Sequence, residues 1–196
     1  MKKIFLITLI ILFSLSNKIF ADTTNSIKQI SEGSEKAKVT IITYESLTCG
    51  HCADFHNEIY PKIKKDFIDK GLVKIEFRHF PLDLAAFNAS KIAQCKNDGK
   101  PDILHFLFSN QKKWAKGATV DDMTKNLKKL LLEENIQVDF EKCTNDKNIE
   151  DYVLNDRING IKLFEINATP TIIINNKKFD KPLNYKNLKK SIEKLI

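Results

Sequence analysis

The tetrapeptide Cys49-Gly50-His51-Cys52 constrains the fold of this chain more than any other feature of its sequence. It follows Val39 to Tyr44, a run of β-branched and aromatic residues that predicts a buried strand. It precedes a stretch in which apolar residues recur every four positions, a pattern typical of an amphipathic helix ending near Gly71. The two cysteines are therefore expected where a buried strand meets the start of a helix.

This junction favours redox chemistry at Cys49 and Cys52. Two intervening residues let the sulfurs face each other across one helical turn, and the unpaired N–H groups and dipole of the helix start stabilise negative charge on the first sulfur. Thiolate is the nucleophilic form of cysteine. Because a stabilised thiolate favours the reduced state, the disulfide becomes a stronger oxidant. Gly50 and His51 are expected to modulate the site, with His51 adding a positive or hydrogen-bonding group.

Two other interpretations of the motif stay open. Cys-x-x-Cys also forms half of many zinc sites, and His51 or His56 are candidates to complete an improvised zinc or copper site. A short structural disulfide is the second alternative. Because Cys95 and Cys143 lack the spacing of a second metal-binding half, we expect no metal and no other cofactor.

The N-terminus predicts export. Lys2 and Lys3 precede an apolar stretch from Ile4 to Ser16, and Ala21 offers a small residue at the cleavage position, so residues 1–21 are interpreted as a signal peptide. An uncleaved membrane anchor is the alternative. Either way, the folded part is expected in an oxidising compartment, which we take to be the periplasm.

Length and charge exclude other classes of function. The chain has 196 residues with 42% hydrophobic and 29% charged side chains, values typical of one globular domain with a substantial core. The formal net charge of +7 includes Lys2, Lys3 and Lys18 near the N-terminus, and the remaining surplus is spread along the chain. We therefore expect a solvated surface and no nucleic-acid partner.

The element order predicts an α/β fold interrupted by helices. A second strand is expected over residues 73–80, after which strand character disappears until residue 171. The remaining predicted elements are helices at 84–97, 101–116, 121–135, 148–159 and 183–196 and strands at 171–175 and 177–179, whereas residues 22–37 are expected to be irregular. The order is β-α-β…β-β-α around a four-helix insertion, with the first two strands parallel.

Three segments resemble one known family. Ser46 to His56 is similar to the active-site segment of DsbA-type thiol oxidoreductases of the thioredoxin superfamily, and Phe80-Pro81-Leu82-Asp83 and Ala168-Thr169-Pro170-Thr171 resemble family segments at the same topological positions. The resemblance implies a thioredoxin fold with an inserted helical domain. We therefore expect an N-terminal segment at 22–38, a thioredoxin-like domain at 39–80 and 166–196, and an inserted helical domain with a connecting helix at 81–165.

The resemblance also implies roles for single residues. Cys49 matches the exposed nucleophile, and Cys52 matches the buried partner that resolves a mixed disulfide. Pro170 matches a cis-proline that faces the pair, and Thr169 matches the residue whose backbone accepts an extended substrate as a short strand.

One position departs from the family pattern. Many members carry a buried acid in the strand six residues before the first cysteine, where this chain has Thr43. Glu45 lies on the same side of the predicted strand as Thr43, and whether it replaces that acid is open. His56 is interpreted as a structural or surface histidine, and His79 and His105 are interpreted as packing residues.

Cys95 and Cys143 are expected to form a second, structural disulfide within the insertion. Export favours oxidation, and an unpaired thiol beside a strong disulfide exchanger would be a hazard. The bond would tie the beginning of the insertion to its end. Two buried thiols that act as small apolar residues are the alternative.

Three functions stay open. The first, implied by the resemblance, is an oxidase that introduces disulfides into reduced exported proteins and is recycled by a quinone-linked membrane partner of the DsbB kind. We expect a monomer, because residues 22–38 are too short for a folded oligomerisation module. The second is a disulfide isomerase or reductase, because the Gly50-His51 dipeptide is shared with eukaryotic isomerases. The third is a metal-binding thioredoxin-like module.

Overall fold

The computed structural model describes residues 26–196, so the expected signal peptide at 1–21 lies outside the described residues. A five-stranded sheet consists of β1 (Ser31–Gly33), β2 (Val39–Glu45), β3 (Val73–His79), β4 (Thr171–Ile174) and β5 (Lys177–Lys178). Its order is β1-β3-β2-β4-β5. Strands β2 and β3 are parallel and the other neighbours are antiparallel, which confirms the predicted β-α-β…β-β-α order and fold class.

Strand β1 is a difference from the expectation that residues 22–37 are irregular. This strand pairs antiparallel with the outer edge of β3, with Ser31 opposite Glu76 and Gly33 opposite Lys74. The preceding Ile30 is 1% exposed and anchors the strand in the core. A polar tripeptide shows no apolar alternation, so only the open edge of β3 makes it a strand.

The helix after the cysteine motif runs without a break from residue 50 to residue 68, but it changes type along its length. It begins as α1 (Gly50–Asp54), widens into a π-helix at Phe55–Ile59, continues as α2 (Tyr60–Ile63), and widens again at Lys64–Ile68. Pro61 lies in the first turn of α2. Because proline has no N–H to donate, the preceding π-turn lets the helix pass it without ending.

The insertion contains more helices than the sequence predicts. In the described chain it consists of α3 (Leu84–Gln94), α4 (Asp102–Ser109), α5 (Gln111–Trp114), α6 (Val120–Glu133), α7 (Phe140–Asn145) and α8 (Lys147–Phe164). The sequence predicts neither α7 nor the extension of α8 beyond Asn159. The Asp139 and Asp146 side chains cap the N-termini of α7 and α8, and Asp146 is the single residue that separates these two helices in the chain.

The core lies on both faces of the sheet. On one face, β2 and β3 pack against the helix that follows the cysteine motif, the C-terminal helix α9 (Tyr185–Glu193) and the insertion, whose Trp114 is 0% exposed, as expected for a core residue. On the other face a smaller cluster surrounds Tyr44 and Phe80. Of the helices in residues 26–196, none has the length and apolar character needed to cross a membrane.

Candidate active site

A tight turn carries the chain from β2 into α1. In the active-site turn, Ser46–Cys49, the Cys49 N–H donates to the Ser46 carbonyl at 3.0 Å. Cys49 has extended backbone angles and is the N-cap of α1, and its carbonyl accepts from the N–H groups of Cys52 at 3.1 Å and Ala53 at 3.2 Å. The first cysteine therefore lies at the N-terminus of the helix, where the sequence places it.

The surroundings of Cys49 stabilise its thiolate. The pKa of Cys49 is lowered to about 5, first by a hydrogen bond from the Cys52 thiol and then by contacts with Thr169 and with the backbone N–H groups of Cys52 and His51. Partial burial opposes this shift. Since an ordinary thiol has a pKa of about 8.5, Cys49 is predominantly thiolate at neutral pH.

The second cysteine has the opposite character. Cys52 is 0% exposed, and burial strongly raises the pKa of its thiol. The hydrogen bond to Cys49 and the negative charge of Glu45 raise that pKa further. The pair thus combines an accessible thiolate with a buried thiol that keeps its proton, the asymmetry that stepwise thiol–disulfide exchange requires.

His51 contributes differently from the expectation. Its side chain is 88% exposed, and its Nδ1 atom lies 3.6 Å from Asp54 Oδ2. Its influence on Cys49 is through the backbone N–H, whereas its imidazole faces solvent. Gly50 is exposed, and a Cβ atom there would meet no heavy atom within 4 Å, so space does not require glycine.

The loop before β4 faces the cysteine pair. The Thr169-Pro170 peptide bond is cis, the isomer that the resemblance implies. When Cys49 is protonated, its thiol donates to the Thr169 carbonyl at 3.3 Å. A groove of about 590 Å³ begins here, with walls that include His51, Phe55, Ile59, Thr169, Pro170 and Tyr185. The structure therefore places the Thr169-Pro170 segment beside Cys49.

A buried acid lies beside the pair, at Glu45 instead of position 43. Thr43 is buried and its hydroxyl contacts the Glu76 carbonyl at 3.4 Å. The Glu45 side chain is 3% exposed, and its Oε2 atom lies 2.8 Å from His56 Nε2. Glu45 is therefore the carboxylate close enough to influence the Cys52 thiol.

His56 and His105 join this acid in a chain of polar groups. His56 Nδ1 lies 2.8 Å from His105 Nδ1, so one ring donates and the other accepts. His105 comes from α4 of the insertion, and burial lowers its pKa to about 3, which keeps it neutral. The expectation that His105 only packs is therefore incomplete. His79, by contrast, is buried against Gln94, as expected for a packing residue.

Cys95 and Cys143 are joined by a disulfide in the structure. Their Cα atoms are 5.5 Å apart, inside the range that a disulfide spans. The bond fastens the end of α3 to α7, far along the chain from the Cys49–Cys52 pair. Within residues 26–196, no group of three or more histidine, cysteine or acidic side chains is arranged to hold a metal ion.

Sequence reasoning missed two residues of the site, His105 and Gln111. Gln111 is buried and donates to the carbonyls of Leu47 and Cys49. Neither residue belongs to a short motif, and both reach the site from the insertion through contacts distant in sequence. His105 is a polar residue within the largely apolar run of α4, which is a signal in the sequence, whereas Gln111 lies among polar residues and has none.

Comparisons with known proteins agree with this geometry. The family model described as thioredoxin matches residues 25–194. Disulfide bond formation protein D of Bacillus subtilis is 31% identical over 172 residues, which covers 83% of this chain and 74% of that protein. A putative protein-disulfide oxidoreductase of Rickettsia prowazekii is 34% identical over 85 residues, and the match spans 31% of that protein and 42% of this chain.

A solved structure shows the same likeness in three dimensions. The crystal structure of alpha-DsbA1 of Wolbachia pipientis superimposes with a TM-score of 0.76 at 32% sequence identity. The match covers 85% of this chain and 90% of that one. The similarity therefore extends through the insertion and is not confined to the cysteine motif.

Proposed function

Because the chain belongs to the thioredoxin family and is a DsbA-like disulfide oxidoreductase, we propose that it introduces disulfide bonds into exported proteins through Cys49 and Cys52. The observation that supports oxidation of the substrate, rather than its reduction, is the difference in pKa between the two thiols. The pKa of Cys49 is lowered to about 5, whereas the pKa of Cys52 is raised. A leaving group with a low pKa departs easily, so a mixed disulfide at Cys49 releases its product readily.

The exchange proceeds in two balanced steps. A substrate thiolate attacks Cys49 Sγ, a substrate–Cys49 disulfide forms, the Cys49–Cys52 bond breaks, and Cys52 leaves with the electron pair and takes up a proton. A second substrate thiolate then attacks the substrate sulfur of the mixed disulfide and expels Cys49 as a thiolate. The substrate loses two electrons and the cysteine pair gains them.

Glu45, His56 and His105 supply the proton that Cys52 needs in this proposal. The Cys52 sulfur leaves in a fully buried position, where an isolated thiolate is strongly disfavoured. Cys52 and His56 are four residues apart on one helical run, and Glu45 bonds to His56 at 2.8 Å. Glu45 contacts His56, and His56 contacts His105 at 2.8 Å, so we assign to this buried group the proton that Cys52 takes up and later returns when the pair is oxidised again.

Substrate binding uses the cis-proline loop. Thr169 presents its backbone beside Cys49, so an extended segment of substrate can add there as a short strand. His51 and Pro170 line the groove, and the exposed Gly50 precedes His51 in the first turn of α1. The substrates proposed are reduced exported proteins that present a cysteine in an unfolded segment.

The remaining parts of the proposal concern organisation and setting. The protein acts as a monomer in the periplasm without a bound cofactor, and a quinone-linked membrane protein of the DsbB kind oxidises its reduced pair. The thioredoxin-like domain comprises residues 39–80 and 166–196, and the insertion with its connecting helix comprises residues 81–165. Cys95 and Cys143 are assigned a structural role, because Cys143 is 0% exposed.

Three assays run side by side test the direction of exchange: oxidation of a reduced peptide, reduction of insulin, and repair of a scrambled substrate. We expect stoichiometric oxidation of the peptide by the oxidised protein, with insulin reduction and repair much slower. Repair of scrambled substrate that outpaces peptide oxidation would instead identify an isomerase.

A further inference from the structure

One glutamine of the insertion reaches into the active-site turn. Gln111, the first residue of α5, is buried and its side-chain nitrogen donates to two carbonyls. Nε2 lies 2.8 Å from the Leu47 oxygen and 3.0 Å from the Cys49 oxygen. The amide nitrogen carries two hydrogens, so it makes both bonds at once. Gln111 therefore fixes two peptide units of the turn that holds Cys49.

The insertion makes a second hydrogen bond to the active-site turn. The Thr48 hydroxyl donates to Asp83 Oδ2 at 2.6 Å, and Asp83 Oδ1 accepts from the Ala86 N–H at 2.7 Å as the N-cap of α3. Asp83 is exposed, whereas Gln111 is buried. The insertion therefore holds the active-site turn at the surface through Asp83 and from the interior through Gln111.

The base that supports Gln111 is rigid. Three residues further along α5, Trp114 is 0% exposed and its indole N–H donates to the Leu107 carbonyl at 2.9 Å. The Ala115 N–H donates to the Gln111 carbonyl at 2.8 Å. With its backbone held in this way, the Gln111 side chain has little freedom to follow a displaced turn.

We propose that Gln111 is a positioning residue for the thiolate of Cys49, a role that rests on the proposed function of the cysteine pair. The thiolate is stabilised by donors in the first turn of α1, and these donors face the sulfur only while the turn keeps its geometry. Gln111 fixes the Cys49 carbonyl, one peptide unit before that first turn. In addition, the positive end of its amide dipole lies next to Cys49.

A merely structural role for Gln111 makes a different prediction, and Gln94 serves as the matched control. Gln94 is a buried glutamine in the same insertion, 1% exposed, and it also makes two side-chain hydrogen bonds. It donates to the Lys28 carbonyl at 2.7 Å and contacts His79 at 3.1 Å, with no bond to the active-site turn. Replacing Gln94 therefore tests loss of a buried amide without loss of the turn contact.

The experiment measures the acid dissociation constant of Cys49 by thiolate absorbance in the full-length reduced protein and in three variants of similar side-chain size. Gln111→Met should lower that constant about threefold, and Gln111→Glu about tenfold, because a carboxylate there faces two carbonyl oxygens. Gln94→Met should leave it within a factor of two, even if the melting temperature falls. Equal constants in wild type and both Gln111 variants would overturn the proposal.

A measurement on the wild-type protein guards against variants that do not fold. The side-chain amide resonances of Gln111 should shift with a midpoint equal to that of the Cys49 thiolate titration, whereas those of Gln94 should not. Side-chain amide resonances of Gln111 that do not shift during the titration of Cys49 would overturn the proposal. Peptide oxidation by wild type is recorded in parallel, so failure of the oxidase assignment is distinguishable from failure of the positioning role.

Discussion

The two cysteine pairs of this chain share a chemistry but lie in opposite surroundings. Cys49 and Cys52 are thiols at a helix start, next to Glu45 and the cis-proline loop, and their pKa values are shifted in opposite directions. Cys95 and Cys143 are 48 positions apart and join α3 to α7 in a disulfide. Reactivity therefore depends on which groups surround a sulfur and how accessible it is, and not on the presence of a partner cysteine.

The two cysteine pairs also differ in how accessible their sulfur atoms are to an attacking thiolate. Cys49 is partly exposed, and its sulfur lies 3.3 Å from the Thr169 carbonyl oxygen. Cys143 is 0% exposed, so an attacking thiolate cannot approach its sulfur without local opening. The comparison predicts that changes at one pair alter exchange, whereas changes at the other alter stability.

The largest effect is expected at the reactive pair. Cys49→Ser should abolish peptide oxidation, because the variant cannot form the Cys49–Cys52 disulfide that the substrate thiolate attacks. Cys52→Ser should trap mixed disulfides when its Cys49 thiolate attacks a disulfide-bonded substrate and expels one substrate thiolate, because no Cys52 thiol remains to resolve the adduct. Non-reducing gels and mass spectrometry detect these adducts. The double variant Cys95→Ala/Cys143→Ala is the control and should keep most of the activity. Loss of oxidation in the control to the same degree as in Cys49→Ser would contradict the assignment of exchange activity to Cys49 and Cys52 alone.

The same control variant should lose stability. A bond between residues 48 positions apart contributes at most about 4 kcal/mol to the free energy of unfolding in the chain-entropy model. We expect a loss of about 2–4 kcal/mol in denaturant unfolding, with the absorbance titration of Cys49 unchanged. A loss below about 0.5 kcal/mol would contradict the structural role of this disulfide.

Glu45 provides the next test, because it lies beside only one of the pairs. Glu45→Gln should slow oxidation of the peptide about tenfold or more, since a buried leaving thiolate then lacks its proton source. Asp156→Asn is the matched control. Asp156 is also a buried carboxylate, 5% exposed, but it binds Arg78 at 3.2 Å and the His79 N–H at 3.0 Å. Equal rates for the two variants would remove Glu45 from the mechanism.

The smallest effect concerns pH. The pKa of Cys49 is about 5 in the folded reduced protein and near 8.5 when unfolded, so its contribution to stability is full above about pH 8.5 and is lost as pH falls through 5. The oxidised protein lacks this titration. The free energy of unfolding of the reduced form, relative to that of the oxidised form, should therefore be higher at pH 8 than at pH 5 by about 1 kcal/mol or more, because solvent screens part of the interaction at Cys49. A pH-independent difference would contradict the low pKa.

Local signals in the sequence predicted much of the fold. The strand at 39–45, the helix start at Gly50 and the return strand at 171–174 each have a strong composition or turn signal over a few residues. Strand β1 and helix α7 have none. Ser31 to Gly33 becomes a strand only because β3 has a free edge, and α7 depends on the Asp139 cap and on the packing of Cys143.

The sequence predicts the site residues that belong to short motifs, but not those that reach the site through contacts between distant parts of the chain. The cysteine motif and Thr169-Pro170 are short patterns. In contrast, the contact between His56 and His105 spans 49 positions, and that between Gln111 and Cys49 spans 62. No local pattern reports such distances, because the packing of α4 and α5 against the helix that begins at Gly50 creates these contacts.

The central claim is that the surroundings of Cys49 make the Cys49–Cys52 disulfide an oxidant. The most direct test is the equilibrium reduction potential of this pair against glutathione, measured on protein in which mass spectrometry shows the Cys95–Cys143 bond intact. We expect a potential above about −200 mV, because thiolate stabilisation favours the reduced form. A potential near −270 mV, the value of thioredoxin, would contradict it.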